Sequence, residues 1–404
     1  MRPAHLAIST GRPHFPEPLH VGRPNIGSEE RLLQRIQQVL DRRWFTNLGP
    51  LVQEFEDKLK QTLGVRHCIP ICNATIALEI AIRAAELKGE VIVPSFTFIA
   101  TAHALQWQEI TPVFCDVQPG THNLDPAQGA RLITPRTSGI IGVHVWGKPC
   151  DHAALQQLAD RHGITLMYDA AHAFGCSLHG TPLGNFGLCE VFSFHATKFF
   201  NSFEGGAIAT NNDELARKIR LMKNFGFSGV DQVTFLGTNG KMTEIAAAMG
   251  LTGLESLADT VAVNVRNYTQ YRAELAQHPG LEMIQFDEAE DNNYQYIVFE
   301  VEEELTGISR DELVQILKAE NVLARRYFYP GCHRMEPYCS YFPHAGLLLP
   351  HTERLCSRVL VLPTGTTVAP EDIQAICQII KTALACPEAC RAILQASAYS
   401  LAEP

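Results

Sequence analysis

Ile164-Thr165-Leu166-Met167-Tyr168-Asp169-Ala170-Ala171-His172 opens apolar, reaches an acid and passes at once into small residues. Read as a strand, Ile164 to Tyr168 is too uniformly apolar for a sheet that is wet on one face. Such runs belong to strands covered on both sides. Upstream lie Cys68-Ile69-Pro70-Ile71, Val91-Ile92-Val93, Pro112-Val113-Phe114-Cys115 and Ile140-Ile141-Gly142-Val143; downstream lie Val191-Phe192-Ser193-Phe194 and Ala207-Ile208-Ala209. Helical spacing fills intervals between them at 75–87, 151–162 and 212–223. The alternation predicts an α/β fold, a largely parallel sheet with helices on both faces. Ligands of such sheets bind beyond the C-terminal strand ends, so the residues that follow each run carry the interest.

Outward from this core the pattern changes. Residues 1–28 are Pro-rich and non-periodic, and read as an arm lying on another surface. Leu32, Leu33, Ile36, Val39 and Leu40 fall at helical spacing over 29–43, and a second helix is expected from Leu51 to Leu63. Past residue 243 two long helices (about 243–277) give way to strands near 294–301 and 357–363, with helices at 309–319 and 369–384. The expected division is an arm over 1–28, a large domain over 29–245 and a smaller α+β domain over 246–404. No internal repeat or low-complexity tract interrupts it.

The chain has 404 residues, 46% of them hydrophobic and 19% charged, a globular composition. A formal net charge of −10 argues against a general nucleic-acid or anionic-membrane partner. No segment approaches the roughly 20 apolar residues of a membrane span. The first residues carry Pro and His without an apolar stretch, so a secretory signal is not expected. Of the 12 cysteines, Cys68, Cys72, Cys115, Cys150, Cys176 and Cys189 fall in or beside apolar runs, as small buried hydrophobes. Cys386 and Cys390 have no second pair or nearby His to complete a zinc set, so no metal is expected. A reduced, cytoplasmic protein is the default.

Four constellations carry chemistry. In the first, Asp169 ends a buried strand, where a carboxylate is expensive unless a cation pairs with it. A protonated pyridine nitrogen is one such partner; a cap for a following helix is the plainer reading. The second is Ser193-Phe194-His195-Ala196-Thr197-Lys198 with Glu204-Gly205-Gly206 beyond it. A lysine that forms a Schiff base needs partial desolvation and a fixed position, and Lys198 follows a strand beside that of Asp169. The third is Cys72-Asn73-Ala74-Thr75, a strand-to-helix turn that suits a phosphate or simply a Thr N-cap. The fourth is Pro94-Ser95-Phe96-Thr97-Phe98-Ile99-Ala100-Thr101, whose aromatics fit a flat cofactor or the core.

In their order and spacing these constellations match fold-type I pyridoxal-phosphate enzymes. More closely, the chain resembles the DegT/StrS-type nucleotide-sugar aminotransferases from about residue 22 to about residue 384. The match also takes in Lys223-Asn224-Phe225-Gly226 and Asn239-Gly240-Lys241-Met242-Thr243-Glu244. The resemblance implies that Lys198 holds pyridoxal 5′-phosphate and shuttles protons, with Asp169 facing the pyridine nitrogen. It implies His172 near the phenolic oxygen, Phe98 stacked on the ring, and Ala74, Thr75 and Ser193 on the phosphate. Asn224 would reach that phosphate from the neighbouring subunit of a homodimer with shared active sites. Lys241 and Arg326 would stand near the substrate. Ala74 departs from the family's usual Gly, and Lys241 from its frequent Arg, which loses a bidentate fork.

The activity so implied is transamination of a nucleotide-linked keto-deoxysugar, with L-glutamate as donor. The run from Asp169 to Gly175 is most similar to enzymes aminating C4 of dTDP-4-keto-6-deoxyglucose. A 3-keto sugar is the alternative substrate, and a pyridoxal-phosphate lyase or dehydratase the alternative reaction. Family dehydratases carry His in place of the lysine, so Lys198 favours transamination. A regulator or scaffold retaining the fold should have lost Lys198 or Asp169 first.

Overall fold

The computed structural model describes residues 5–397; residues 1–4 of the expected arm and 398–404 of the expected C-terminal domain lie outside that range. Seven strands form the central sheet: β1 (His67–Ile71), β2 (Glu90–Pro94), β3 (Thr111–Cys115), β4 (Thr137–Val143), β5 (Thr165–Asp169), β6 (Glu190–Ser193) and β7 (Gly206–Thr210). Their order is β1-β7-β6-β5-β4-β2-β3. The pairings β2–β3, β2–β4, β4–β5 and β5–β6 are parallel, whereas β7 runs antiparallel to both of its neighbours. Each of the seven apolar runs is a strand. Their direction is not written in an apolar run, and β7 departs from the parallel expectation.

Side chains alternate along each strand, and both faces are dry. Ile69, Ile71, Val91, Val93, Met167, Val191 and Ile208 share one buried cluster with residues of helices α1 (Ala74–Ala84) and α2 (Asp213–Met222). Cys68, Phe192, Ala207 and Ala209 face the other way, onto the helix of Pro50–Leu63 and that of Glu244–Glu255. Ile92, Ile140, Leu166 and Tyr168 pack on the helix of His152–His162. This two-sided burial explains why the runs lack polar alternation.

A long-range cap ties the helical layer together. Glu244 is buried, and its carboxylate accepts the N–H groups of Leu51 and Val52, each at 2.9 Å. Pro50 occupies the first turn of that helix, so these two N–H groups are among the donors no intrahelical carbonyl can reach.

The later part of the chain adds a three-stranded antiparallel sheet of Leu281–Met283, Ile297–Val301 and Val359–Leu362. It packs with the helices of Leu257–Leu275, Arg310–Ala319 and Pro370–Ala385 into a separate buried cluster. Leu6, Ile8 and Phe15 of the arm sit inside that same cluster. Leu19–His20 pairs in parallel with Val322–Leu323, and Glu320 accepts from the Ala7 and His14 N–H groups at 2.6 and 2.8 Å. The surface under the arm is therefore the C-terminal part of its own chain. Elements not anticipated include the helices of Ala100–Gln106, Pro126–Leu132, Pro350–Arg358 and Pro387–Ser397 and the strand of Leu281–Met283. Among the described residues no helix is long and apolar enough to cross a membrane.

Candidate active site

Beyond the C-terminal ends of β5 and β6 opens a cavity of about 350 Å³. Register puts Asp169 opposite Val191, so the end of β5 and the turn after β6 share one edge of the sheet. Ala74, Thr75, Phe98, Asp169, His172, Ser193 and Lys198 all line this cavity, together with Tyr296, Arg325, Tyr327 and Phe328. The side chains gathered from four separate stretches of sequence thus meet.

Asp169 is buried, and burial pushes its carboxyl above the usual range. Hydrogen bonds from the Thr101 hydroxyl (2.8 Å) and the Ala171 N–H (3.0 Å), together with the charge of Lys198, pull it back down. No helix follows Asp169, so the helix-cap alternative has nothing to cap. Lys198 is lowered to about 8 by burial of its amine, with Asp169 opposing the shift. Its Nζ donates to the Tyr296 hydroxyl at 3.3 Å. At pH 7 roughly one such amine in ten is neutral, against roughly one in three thousand for an ordinary lysine. His172 is pushed well below its ordinary value by burial, with Lys198 adding to the effect, and is therefore uncharged.

α1 begins at Ala74. Its N-cap is Asn73, whose side chain accepts from the Ile76 N–H at 2.9 Å, so Thr75 lies inside the helix and its hydroxyl is not the cap. The N–H groups of the first turn are a ready anion site. Gly206 makes the close approach possible: a Cβ there would stand 2.8 Å from the Ala74 nitrogen and from the Phe192 carbonyl. Phe98 is 61% exposed and lines the cavity, so it is not a core aromatic.

Asn224, Lys241 and Arg326 do not line the cavity. Lys241 donates to Asn224 Oδ1 at 3.1 Å and stands 4.4 Å over the Phe225 ring. Arg326 pairs with Asp311 at 3.2 Å and stacks on Tyr329, while its neighbour Arg325 lies over Tyr327 in the cavity wall. Extended backbone sends adjacent side chains to opposite sides, and the bridge of Arg325 to Val361 makes this stretch extended. Residues that went unassigned in the sequence are Thr101, Tyr296, Arg325, Tyr327 and Phe328. Thr101 closes the quoted run that begins at Pro94, and Tyr296 lies in the strand-like segment 294–301.

Residues 27–381 match the DegT/DnrJ/EryC1/StrS aminotransferase family. The chain is 36% identical over 365 residues to the dTDP-4-amino-4,6-dideoxy-D-glucose transaminase of Shigella dysenteriae, covering 90% of this chain and 99% of that one. It is 35% identical over 325 residues to the GDP-perosamine synthase of Caulobacter vibrioides, covering 79% and 86%. Among solved structures, DesI in the presence of its TDP-sugar product superposes with a TM-score of 0.91 at 48% identity, covering 98% of this chain and 99% of DesI.

Proposed function

Because the chain belongs to the DegT/DnrJ/EryC1/StrS aminotransferase family, whose cofactor is pyridoxal 5′-phosphate, we propose that it moves an amino group from L-glutamate to dTDP-4-dehydro-6-deoxy-D-glucose. The observation that carries this reading is the pairing of buried Asp169 with the low-pKa amine of Lys198 in one cavity. The name of the Shigella dysenteriae relative supports the C4 position and the dTDP nucleotide. The name of the Caulobacter vibrioides relative carries GDP, so the nucleotide is the part to test first.

The lining fits the cofactor. A pyridinium gives Asp169 the cation that its burial demands, the first turn of α1 offers N–H groups to a phosphate, and Phe98 presents an open apolar face. Ser193 stands beside the same turn as a hydroxyl donor. When bound, pyridoxal phosphate supplies the electron sink for negative charge on the carbon next to the transferred nitrogen. Lys198 would hold the group, and its amine, kept partly neutral by the lowered pKa, would move the proton. Uncharged His172 offers a neutral hydrogen bond rather than a second positive charge. Of the two adjacent arginines Arg325 lines the cavity, which supports it as the cation that would face the substrate.

The functional unit we propose is a homodimer with shared sites. Around Asn224 and Lys241 the exposed apolar residues Phe225, Phe227, Val230, Val233 and Leu236 form a patch suited to burial against a second copy. That copy's cavity would receive Asn224 and Lys241. A cytoplasmic location is supported by the 12 cysteines, all free.

The deciding experiment is an amination assay with glutamate against dTDP-, UDP- and GDP-ketosugars, with the amino carbon read by NMR. One equivalent of 2-oxoglutarate per aminated dTDP sugar is expected. Product without 2-oxoglutarate would mean elimination, and an amine on C3 would refute the substrate assignment.

A further inference from the structure

Trp146 stands in the left-handed region, at φ 63° and ψ 4°, where a bulky side chain is an outlier. Its ring is packed among Phe96, His122, His172, Tyr296, Tyr327 and Phe328, and one hydrogen bond fixes which way the indole faces. Its indole Nε1 donates to His122 Nδ1 at 2.9 Å, and its ring lies nearly flat on Phe328, 5.6 Å between centroids and 13° between planes. Nε2 of His122 in turn reaches Glu300 Oε1 at 3.0 Å. Burial pushes the Glu300 carboxyl up, but the His122 hydrogen bond and the nearby Arg358 and Arg354 outweigh it and leave the group below its usual range.

The donor inventory fixes every proton in this row. An indole N–H only donates, so Nδ1 of His122 is bare and its Nε2 carries the hydrogen toward the carboxylate. The backbone N–H of Trp146 also only donates, and it meets Nδ1 of His172 at 3.2 Å. His172 is therefore protonated on Nε2, the nitrogen left for the cavity it lines. All three side chains are buried: His122 at 1%, Trp146 at 0% and His172 at 7% exposure, so no water competes for these bonds.

We propose that Glu300, His122 and Trp146 are a positioning relay that fixes the tautomer of His172, so that its Nε2–H is aimed at the phenolic oxygen of the cofactor. The inference rests on the placement of His172 beside that cofactor. The relay is set by one torsion: if Trp146 leaves the left-handed region, its N–H turns away and His172 is free to carry its proton on either nitrogen.

The test uses the full-length protein labelled with ¹⁵N-histidine, with the His172 signals identified from His172→Gln. In the cofactor-free wild type, His172 should show a single Nε2–H tautomer. His122→Leu removes the acceptor and should spread the His172 signals between two tautomers; His122→Gln keeps an amide oxygen for the indole and should restore most of the single form. In the loaded enzyme kcat should fall about tenfold in His122→Leu, with KM within about twofold, and recover in His122→Gln. Should His122→Leu fail to fold, Trp146→Phe removes the indole N–H that His122 accepts while keeping an aromatic side chain, and is read the same way. A His172 spectrum unchanged in both variants would overturn the relay. A shifted tautomer with unchanged kcat would instead overturn the contact between His172 and the cofactor, so the two failures are told apart.

Discussion

The hydroxyl of Thr101 donates to Oδ2 of Asp169 at 2.8 Å, joining a strand end to a helical residue 68 positions before it. Thr97 stands behind it, its hydroxyl 3.0 Å from that of Thr101. The Asp169 carboxyl is thus tuned by a residue on a helix the sequence did not announce.

Thr101→Val should move the acid limb of the pH–rate profile upward. Burial raises the Asp169 pKa and the Thr101 hydrogen bond lowers it, so deleting the hydroxyl raises it further. The charged form is then lost at a higher pH as acid is added. An acid limb that stays put would show that Thr101 only packs.

Asp169→Asn should still take up cofactor and lose most turnover, because a neutral amide cannot keep a pyridine nitrogen protonated. Titrating the variant with pyridoxal phosphate and comparing initial rates checks both halves. Near-normal turnover would remove Asp169 from the chemistry.

Lys198→Ala should abolish the visible band of covalently held cofactor and the turnover with it. Tyr296, whose hydroxyl is the hydrogen-bond partner of Lys198, offers no amine in exchange. Turnover by this variant without added amine would dissolve the Lys198 assignment.

What could be read from the sequence follows from how local each signal is. The strands were legible because Val91, Ile92 and Val93 face opposite covers and all must be apolar. The antiparallel sense of β7 was not, since Ala207-Ile208-Ala209 reads alike in either direction. Asp169 was legible because a carboxylate that ends an apolar strand is expensive without a purpose, and Lys198 because its run follows the neighbouring strand and precedes Gly205-Gly206. Arg325 and Arg326 were not separable, because one residue of register decides which enters the cavity. The seat of the arm depends on Glu320, over 300 residues away in sequence, and no local pattern contains it.

Glu244→Ala should cost about 3 kcal/mol of stability, because two buried N–H groups lose a charged acceptor. Gly49 belongs to the same contact: a Cβ there would come within 3 Å of the Glu244 carboxylate, so Gly49→Ala should destabilise as well. Denaturant midpoints at constant slope measure both. A loss below about 1 kcal/mol in Glu244→Ala would mean that water replaces the carboxylate.

The shared site is tested by mixing two inactive variants. Asn224 and Lys241 bond each other but stand outside the cavity that holds their own chain's Lys198. They therefore serve a partner's cavity or none. Asn224→Asp removes an amide donor, and the new carboxylate both repels a phosphate and ties up Lys241 as an ion pair. That chain should be inactive as a homodimer, as should Lys198→Ala. In a mixed dimer one site combines the intact Lys198 of the first chain with the intact Asn224 of the second, while the other site carries both lesions. Subunit exchange should then restore activity, up to about half that of wild type per mixed dimer by counting sites. Mass spectrometry of intact dimers shows whether exchange has occurred. Mixed dimers that form and stay inactive would place the whole site within one chain, and Asn224 would then serve only to end the helix before it.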